Sequence, residues 1–229
     1  MTAIGPIESP LWVPYSRAIL KSPGLISYWP MREPSGVVGV DAKGGNTGAW
    51  TAGTVLGATG PIASEVASAA TLVAASSQYL NIPSNASLNV GAVFSLAIWI
   101  KRTTAGQQVI MSKGDGAFEL WFDTTNYLYL TNQATAHIVR TAAITDTASW
   151  HFLVATLNTG SSAAIYVDGL DASIQVGAST PISTSYPLTI GMRNPNNDLF
   201  LNAKICEAAL WGRAINPGEV AYFYATARA

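Results

Sequence analysis

The hexapeptide FELWFD, residues 118–123, holds the acids best suited by type to chemistry. In an extended strand Glu119, Trp121 and Asp123 fall on one face, two carboxylates flanking an aromatic ring as in a sugar-cleaving site. Glycoside hydrolysis needs its two carboxyl groups about 5–9.5 Å apart. Four residues of strand at about 3.3 Å each separate Glu119 from Asp123 by about 13 Å. The pair is therefore expected on a solvated sheet face, without catalysis. His137 and His151 are the two histidines and Cys206 the one cysteine. His151 and Cys206 lie in apolar strand patterns, which favours packing over roles as base and nucleophile. The glycines of KGGNTG lack the spacing of a phosphate-binding loop.

Oxygen-rich loops suggest two other chemistries. Asp41 and Asn46, in DAKGGNTG, are candidate Ca2+ ligands, since that ion takes six to eight oxygens. Asp115 and Asp198 are further loop acids, with turn formation as the alternative, because Asp bonds its own backbone. Glycan binding calls for exposed aromatic rings beside amides and hydroxyls. Trp50, Tyr127 and Tyr186 lie in or near loops, as do Arg193, Asn194, Asn196, Asn197 and Asp198 of RNPNND. Loops on a rigid scaffold are where binding residues gather; amides that merely bind water are the alternative. Trp29, Trp99, Trp150 and Trp211 sit in strong strand patterns and are expected in the core.

The elements that must hold these residues are strands. In SWHFLVATLNTGSSAAIYVDGLDAS, Trp150, Phe152 and Val154 alternate with His151, Leu153 and Ala155. Asp168–Gly169 then supplies the positive φ values of a two-residue hairpin turn. Both faces of this meander are apolar, as in a sheet covered on both sides. Phe94, Leu96, Ile98, Phe152, Val154, Ile165, Val167, Leu188 and Ile190 are expected between two sheets. Roughly a dozen short strands predict an all-β sandwich or barrel. A short closing helix is predicted after Asn216, with Pro217 in its first turn and Glu219 completing a capping box.

The ordered set LISYWPMREPSG, QYLNIPSNASLNVGAVFSLAIWIKR, SWHFLVATLNTGSSAAIYVDGL, PLTIGM and ICEAALWGRAINPGEV resembles the laminin G-like, concanavalin A-like jelly-roll domains and, more distantly, the pentraxins. The resemblance implies a two-sheet antiparallel jelly-roll sandwich over residues 24–229. It implies a mostly non-catalytic module for glycans or proteins, often with Ca2+, although some relatives hydrolyse glycans. Those hydrolases cluster three acids on one strand, and Trp121 stands where the middle acid would be. Relatives often carry an Asp–Glu pair before the last helix; here it reads Cys206–Glu207, which adds Glu207 to Asp41 and Asn46 as a metal candidate.

Composition narrows the partners. Of 229 residues 49% are hydrophobic and only 11% charged, with net charge −1. Scattered basic residues make no nucleic-acid footprint, and no apolar run reaches the ~18 residues of a membrane helix. Residues 1–23 stand apart as an extended, proline-rich arm carrying Leu11, Trp12 and Tyr15. With no signal-peptide pattern in this segment and no disulfide framework, synthesis in a cytoplasm is expected. The arm favours docking on neighbouring subunits. The expected function is a non-enzymatic jelly-roll subunit of a homo-oligomer or larger extracellular particle, such as a phage virion's capsid decoration or tail component, with possible contact to surface glycans. The alternative is a stand-alone lectin-like carbohydrate-binding module, with a glycan hydrolase ranked below it.

Overall fold

The decapeptide VFSLAIWIKR alternates large apolar side chains with a second, nearly as apolar set, and it forms the longest strand of the fold. A computed structural model describes residues 14–51, 53–62, 68–132, 137–159 and 162–229. Its strands begin with β1 Leu25–Trp29, β2 Val38–Gly39, β3 Gly48–Trp50, β4 Val55–Thr59, β5 Ser68–Leu72 and β6 Leu80–Ile82. Next come β7 Val93–Arg102, β8 Gln108–Ser112, β9 Glu119–Phe122, β10 Tyr127–Thr131, β11 His137–Ala143 and β12 His151–Asn158. The last are β13 Ala163–Val167, β14 Leu170–Asp171, β15 Ile174–Gln175, β16 Leu188–Ile190 and β17 Ala203–Trp211. Two helices, α1 Tyr15–Lys21 and α2 Pro217–Arg228, complete the described elements.

The strands form two antiparallel sheets, as the sequence predicts. One has eight strands in the order β14-β13-β12-β7-β17-β5-β4, with β1 also paired to β17. The other has nine, in the order β15-β11-β10-β9-β8-β16-β6-β3-β2. Phe94, Leu96 and Ile98 of β7 face the nine-stranded sheet, and the rings of Phe94 and Phe118 meet at 5.0 Å. Leu188 and Ile190 are fully buried there as well.

The register of β12 corrects two of the nine residues expected between the sheets, Phe152 and Val154. Directly opposed residues share a face, and Leu153, Ala155 and Leu157 oppose Ile98, Leu96 and Phe94. Ile165 and Val167 oppose Ala155 and Leu153, so they belong to the same inner face. Phe152 and Val154 oppose Trp99 and Ala97 instead and point away from the other sheet. They are buried all the same, because a helical layer covers that outer face. The Tyr15 ring meets Phe152 edge-on at 6.2 Å, Tyr224 stacks on Trp99 at 5.8 Å, and Phe223 stacks on Trp211 at 5.9 Å.

The N-terminal segment departs from expectation over residues 15–21, which are helical rather than extended. The prolines bracket this stretch: Pro14 occupies the N-cap and Pro23 follows the end, positions where a missing N–H and a fixed φ do no harm. Tyr15, Ala18 and Ile19 form the buried stripe at helical spacing. Ser22 closes the helix by donating to the Ile19 carbonyl and accepting from Trp211 Nε1, both at 2.7 Å. Tyr15 is thus fully buried against its own domain, where the expectation had it on an arm docked on neighbouring subunits. Leu11 and Trp12 lie outside the described residues. The closing helix has the predicted capping box: Asn216 accepts from the Glu219 N–H, and Glu219 accepts from the Asn216 N–H.

Candidate functional site

The outer face of the nine-stranded sheet draws its side chains from three neighbouring strands. Register places Tyr129 opposite both Trp121 and Arg140, and Thr131 opposite both Glu119 and His137. The Trp121 and Tyr129 rings stack at 5.6 Å, and the His137 ring lies 4.5 Å from Tyr129 and 5.9 Å from Trp121. Tyr127 extends the row, edge-on to Tyr129, with the Arg140 guanidinium 4.3 Å above its ring.

Beside this row Glu119, Trp121, Gln107, Arg193 and Leu199 line a cavity of about 90 Å³. Glu119 is only 2% exposed and accepts a 2.9 Å hydrogen bond from the Ser112 hydroxyl. Burial pushes its carboxyl up to about 6, with the Ser112 bond and Arg193 pulling the other way. Arg193 Nε and Nη2 grip both oxygens of Asp198, at 2.7 and 2.5 Å. Three side chains of this face carry a buried polar atom with no hydrogen-bond partner among the described residues: Trp121 Nε1, Thr131 Oγ1 and His137 Nδ1. Such atoms each cost about 1–3 kcal/mol unless something pairs with them. Burial also lowers the His137 pKa, which favours the neutral ring.

Asp123 acts on Tyr129 and His137 only through its charge. Its carboxylate accepts the N–H groups of Thr125 and Tyr127 and the Thr125 hydroxyl, fixing the β9–β10 turn. The FELWFD acids are therefore one buried carboxyl and one turn cap.

Several sequence candidates fall elsewhere. Trp50, expected as an exposed platform, is 4% exposed and shares the inner face with Leu80. Asn194 is buried, donating its amide to the Pro187 carbonyl. Asn196 and Asn197 are exposed, in the turn that Arg193 and Asp198 close. Tyr186 is partly exposed; its ring fills the space a side chain on Gly114 would need, and Gly114 has φ +90°. Tyr127 alone of the three expected aromatics borders the cluster.

The metal candidates are likewise separate. The Asp41 carboxylate accepts three backbone N–H bonds, from Tyr28, Lys43 and Asn46, at 2.9, 3.0 and 3.0 Å. The Asn46 amide donates to the hydroxyls of Ser27 and Ser87. Glu207 takes the Tyr28 hydroxyl and a two-pronged contact from Arg32. These oxygens stabilise loop and sheet instead of converging on one point, and among the described residues no cluster of three or more His, Cys, Asp or Glu could hold a metal. Asp115 is exposed in the turn after β8. Cys206 is fully buried, its thiol pKa driven up by burial, as suits a core residue. His151 lies between two acids, with Nδ1 2.7 Å from Asp168 and Nε2 3.3 Å from Asp146. Its pKa is raised, chiefly by the Asp168 bond.

Sequence reasoning passed over Tyr129 and Thr131. The available signal was the alternation in YLYLT, where Tyr127, Tyr129 and Thr131 share the face opposite Leu128 and Leu130.

Comparisons with known proteins fall on this fold. A sequence model described as the concanavalin A-like lectin/glucanases superfamily matches residues 74–221, more than half of the chain. Among curated proteins none matches the sequence. The binding domain of Paraclostridial Mosquitocidal Protein 1 superposes with a TM-score of 0.68 at 13% identity, over 88% of this chain and 52% of that one. Botulinum neurotoxin type C, whose cell entry is described as dependent on two ganglioside molecules, gives 0.63 at 14% identity, over 91% and 52%. This chain thus spans about half the length of each toxin chain. Domain 4 of AbnA, a GH43 extracellular arabinanase from Geobacillus stearothermophilus bound to arabinotriose, gives 0.58 at 14% identity, over 87% and 98%. At these identities the likeness is one of fold. Among the described residues no helix is long and apolar enough to cross a membrane.

Proposed function

The chain belongs to the concanavalin A-like lectin/glucanases superfamily, and from that premise we propose that it is a lectin-like module binding glycan on the outer face of its nine-stranded sheet. One observation carries the reading: three buried polar atoms without a partner among the described residues, Trp121 Nε1, Thr131 Oγ1 and His137 Nδ1, share the sheet face of the stacked Trp121–Tyr129 pair. Sugars offer hydroxyls to the first and apolar ring faces to the second. A cavity of about 90 Å³ is far below the ~300–1,000 Å³ of a site that engulfs its ligand. It suits a hydroxyl or hydroxymethyl group projecting from a sugar that lies on the surface. The toxin and arabinanase-domain relatives support the same reading by their names and ligands.

The module acts without hydrolysing its ligand. Glu119 has the raised pKa of a general acid, yet Asp123 caps a turn, Asp198 is held by Arg193, and Asp115, the other carboxylate that acts on Glu119, is exposed in the turn after β8. Reading the protein as a particle subunit relied on the arm; Tyr15 faces inward, and Leu11 and Trp12 lie outside the described residues, so glycan binding is preferred. The test is a glycan array probed with the protein and with Tyr129→Ala. Binding that falls at least tenfold in the variant, with no cleavage products, supports the proposal. An array blank for the parent, or release of shortened sugars, refutes it.

A further inference from the structure

Charge at the cavity goes further than sugar binding in general. The cavity wall carries Glu119 and Arg193, and Asp115 and Asp198 act on Glu119 electrostatically. That is three carboxylates against one guanidinium. The guanidinium is already occupied, since its Nε and Nη2 are held by both oxygens of Asp198. A ligand carboxylate prefers that same two-pronged arrangement and would have to displace Asp198 to obtain it.

The other cations nearby do not line the cavity, Arg140 sharing the face but at the Tyr127 end of the row. Arg140 lies over the Tyr127 ring and donates to the Thr141 carbonyl. Lys113 is fully buried and donates to the carbonyls of Thr184 and Tyr186. The unpaired atoms are neutral, and two of them are well inside: Thr131 Oγ1, on a residue with no exposed surface and directly opposite Glu119, and Trp121 Nε1, on a residue 9% exposed that lines the cavity. A hydroxyl can accept from the indole N–H and donate to Glu119, whereas a carboxylate can only accept.

Resting on the glycan-binding reading, we infer that this site selects uncharged sugars and excludes acidic ones, with Glu119 as the residue that decides. Glu119 presents an acceptor where a neutral sugar has a hydroxyl to donate and an acidic sugar brings a like charge.

The experiment uses an array of neutral oligosaccharides, each printed beside its sialylated counterpart, followed by titration of the best neutral binder and its sialylated form. The parent should bind the neutral sugar at least tenfold more tightly. Glu119→Gln should narrow that gap about tenfold, and Asp198→Asn, which releases Arg193, should narrow it too. Without any variant, raising the salt should shrink the discrimination, because it rests on charge. Equal binding of the two forms by the parent, or a gap unchanged by both variants and by salt, overturns the inference while leaving glycan binding standing. An array blank for the parent overturns the glycan reading itself, and this inference with it.

Discussion

The rings of Trp99 and Phe152 stack at 5.3 Å with 28° between their planes, on the side of the eight-stranded sheet that faces the helices. Tyr224 covers the pair, and Tyr15 meets Phe152 at 87°. Phe152→Ala should cost about 3–5 kcal/mol by urea unfolding, as for a buried Phe anywhere in a core. The sharper test is a double-mutant cycle between Tyr15 and Phe152. A coupling of about 0.5–1.5 kcal/mol is expected for an aromatic pair beyond its buried area. Zero coupling would mean that α1 does not dock on this face.

Glu119 makes stability depend on pH. Its folded carboxyl titrates at about 6, above the ordinary 4.5, because burial penalises the charge. A raised acid pKa means that the folded state holds the proton more tightly. The contribution is therefore fully present below the ordinary carboxylate value and is lost as the pH rises through about 6. At 1.36 kcal/mol per unit the loss is about 2 kcal/mol. Glu119→Gln keeps an acceptor for Ser112 and should be more stable than the parent by roughly that amount at pH 8, with little difference at pH 4. Parallel melting curves across that range would count against a buried, ionisable Glu119.

Asp41 should behave as a structural residue. Removing its carboxylate in Asp41→Ala strands the N–H groups of Tyr28, Lys43 and Asn46. A loss of about 1–3 kcal/mol is expected, and millimolar calcium should leave the melting temperature of parent and variant unmoved. A rise in the parent's melting temperature with calcium would restore Asp41 as a ligand.

What could be read in advance followed from rules that act over a few residues. The Asp168–Gly169 turn has φ values of 54° and 84°, as a two-residue hairpin requires, and the Asn216–Glu219 box is formed as predicted. Neither depends on anything distant. The facing of β12 was not legible, because Phe152 and Val154 are as apolar as Leu153 and Leu157; only pairing with β7 decides which set looks inward. Trp50 was misjudged for a related reason. Glycines surround it in sequence, but the lack of side chains at Gly39 and Gly48 lets Leu80 and the indole close over the edge. The site itself is assembled by register: Glu119 and His137 stand 18 positions apart and come to flank Thr131 only because β10 lies between their strands.

The helical layer has a geometrical consequence. The chain enters the described fold through α1 and leaves it through α2, and both helices lie on the eight-stranded sheet. The Glu119–Tyr129 face belongs to the opposite side of the sandwich. A contact made on the helical layer therefore leaves the Glu119–Tyr129 face clear, so the two sides of the sandwich can be occupied independently.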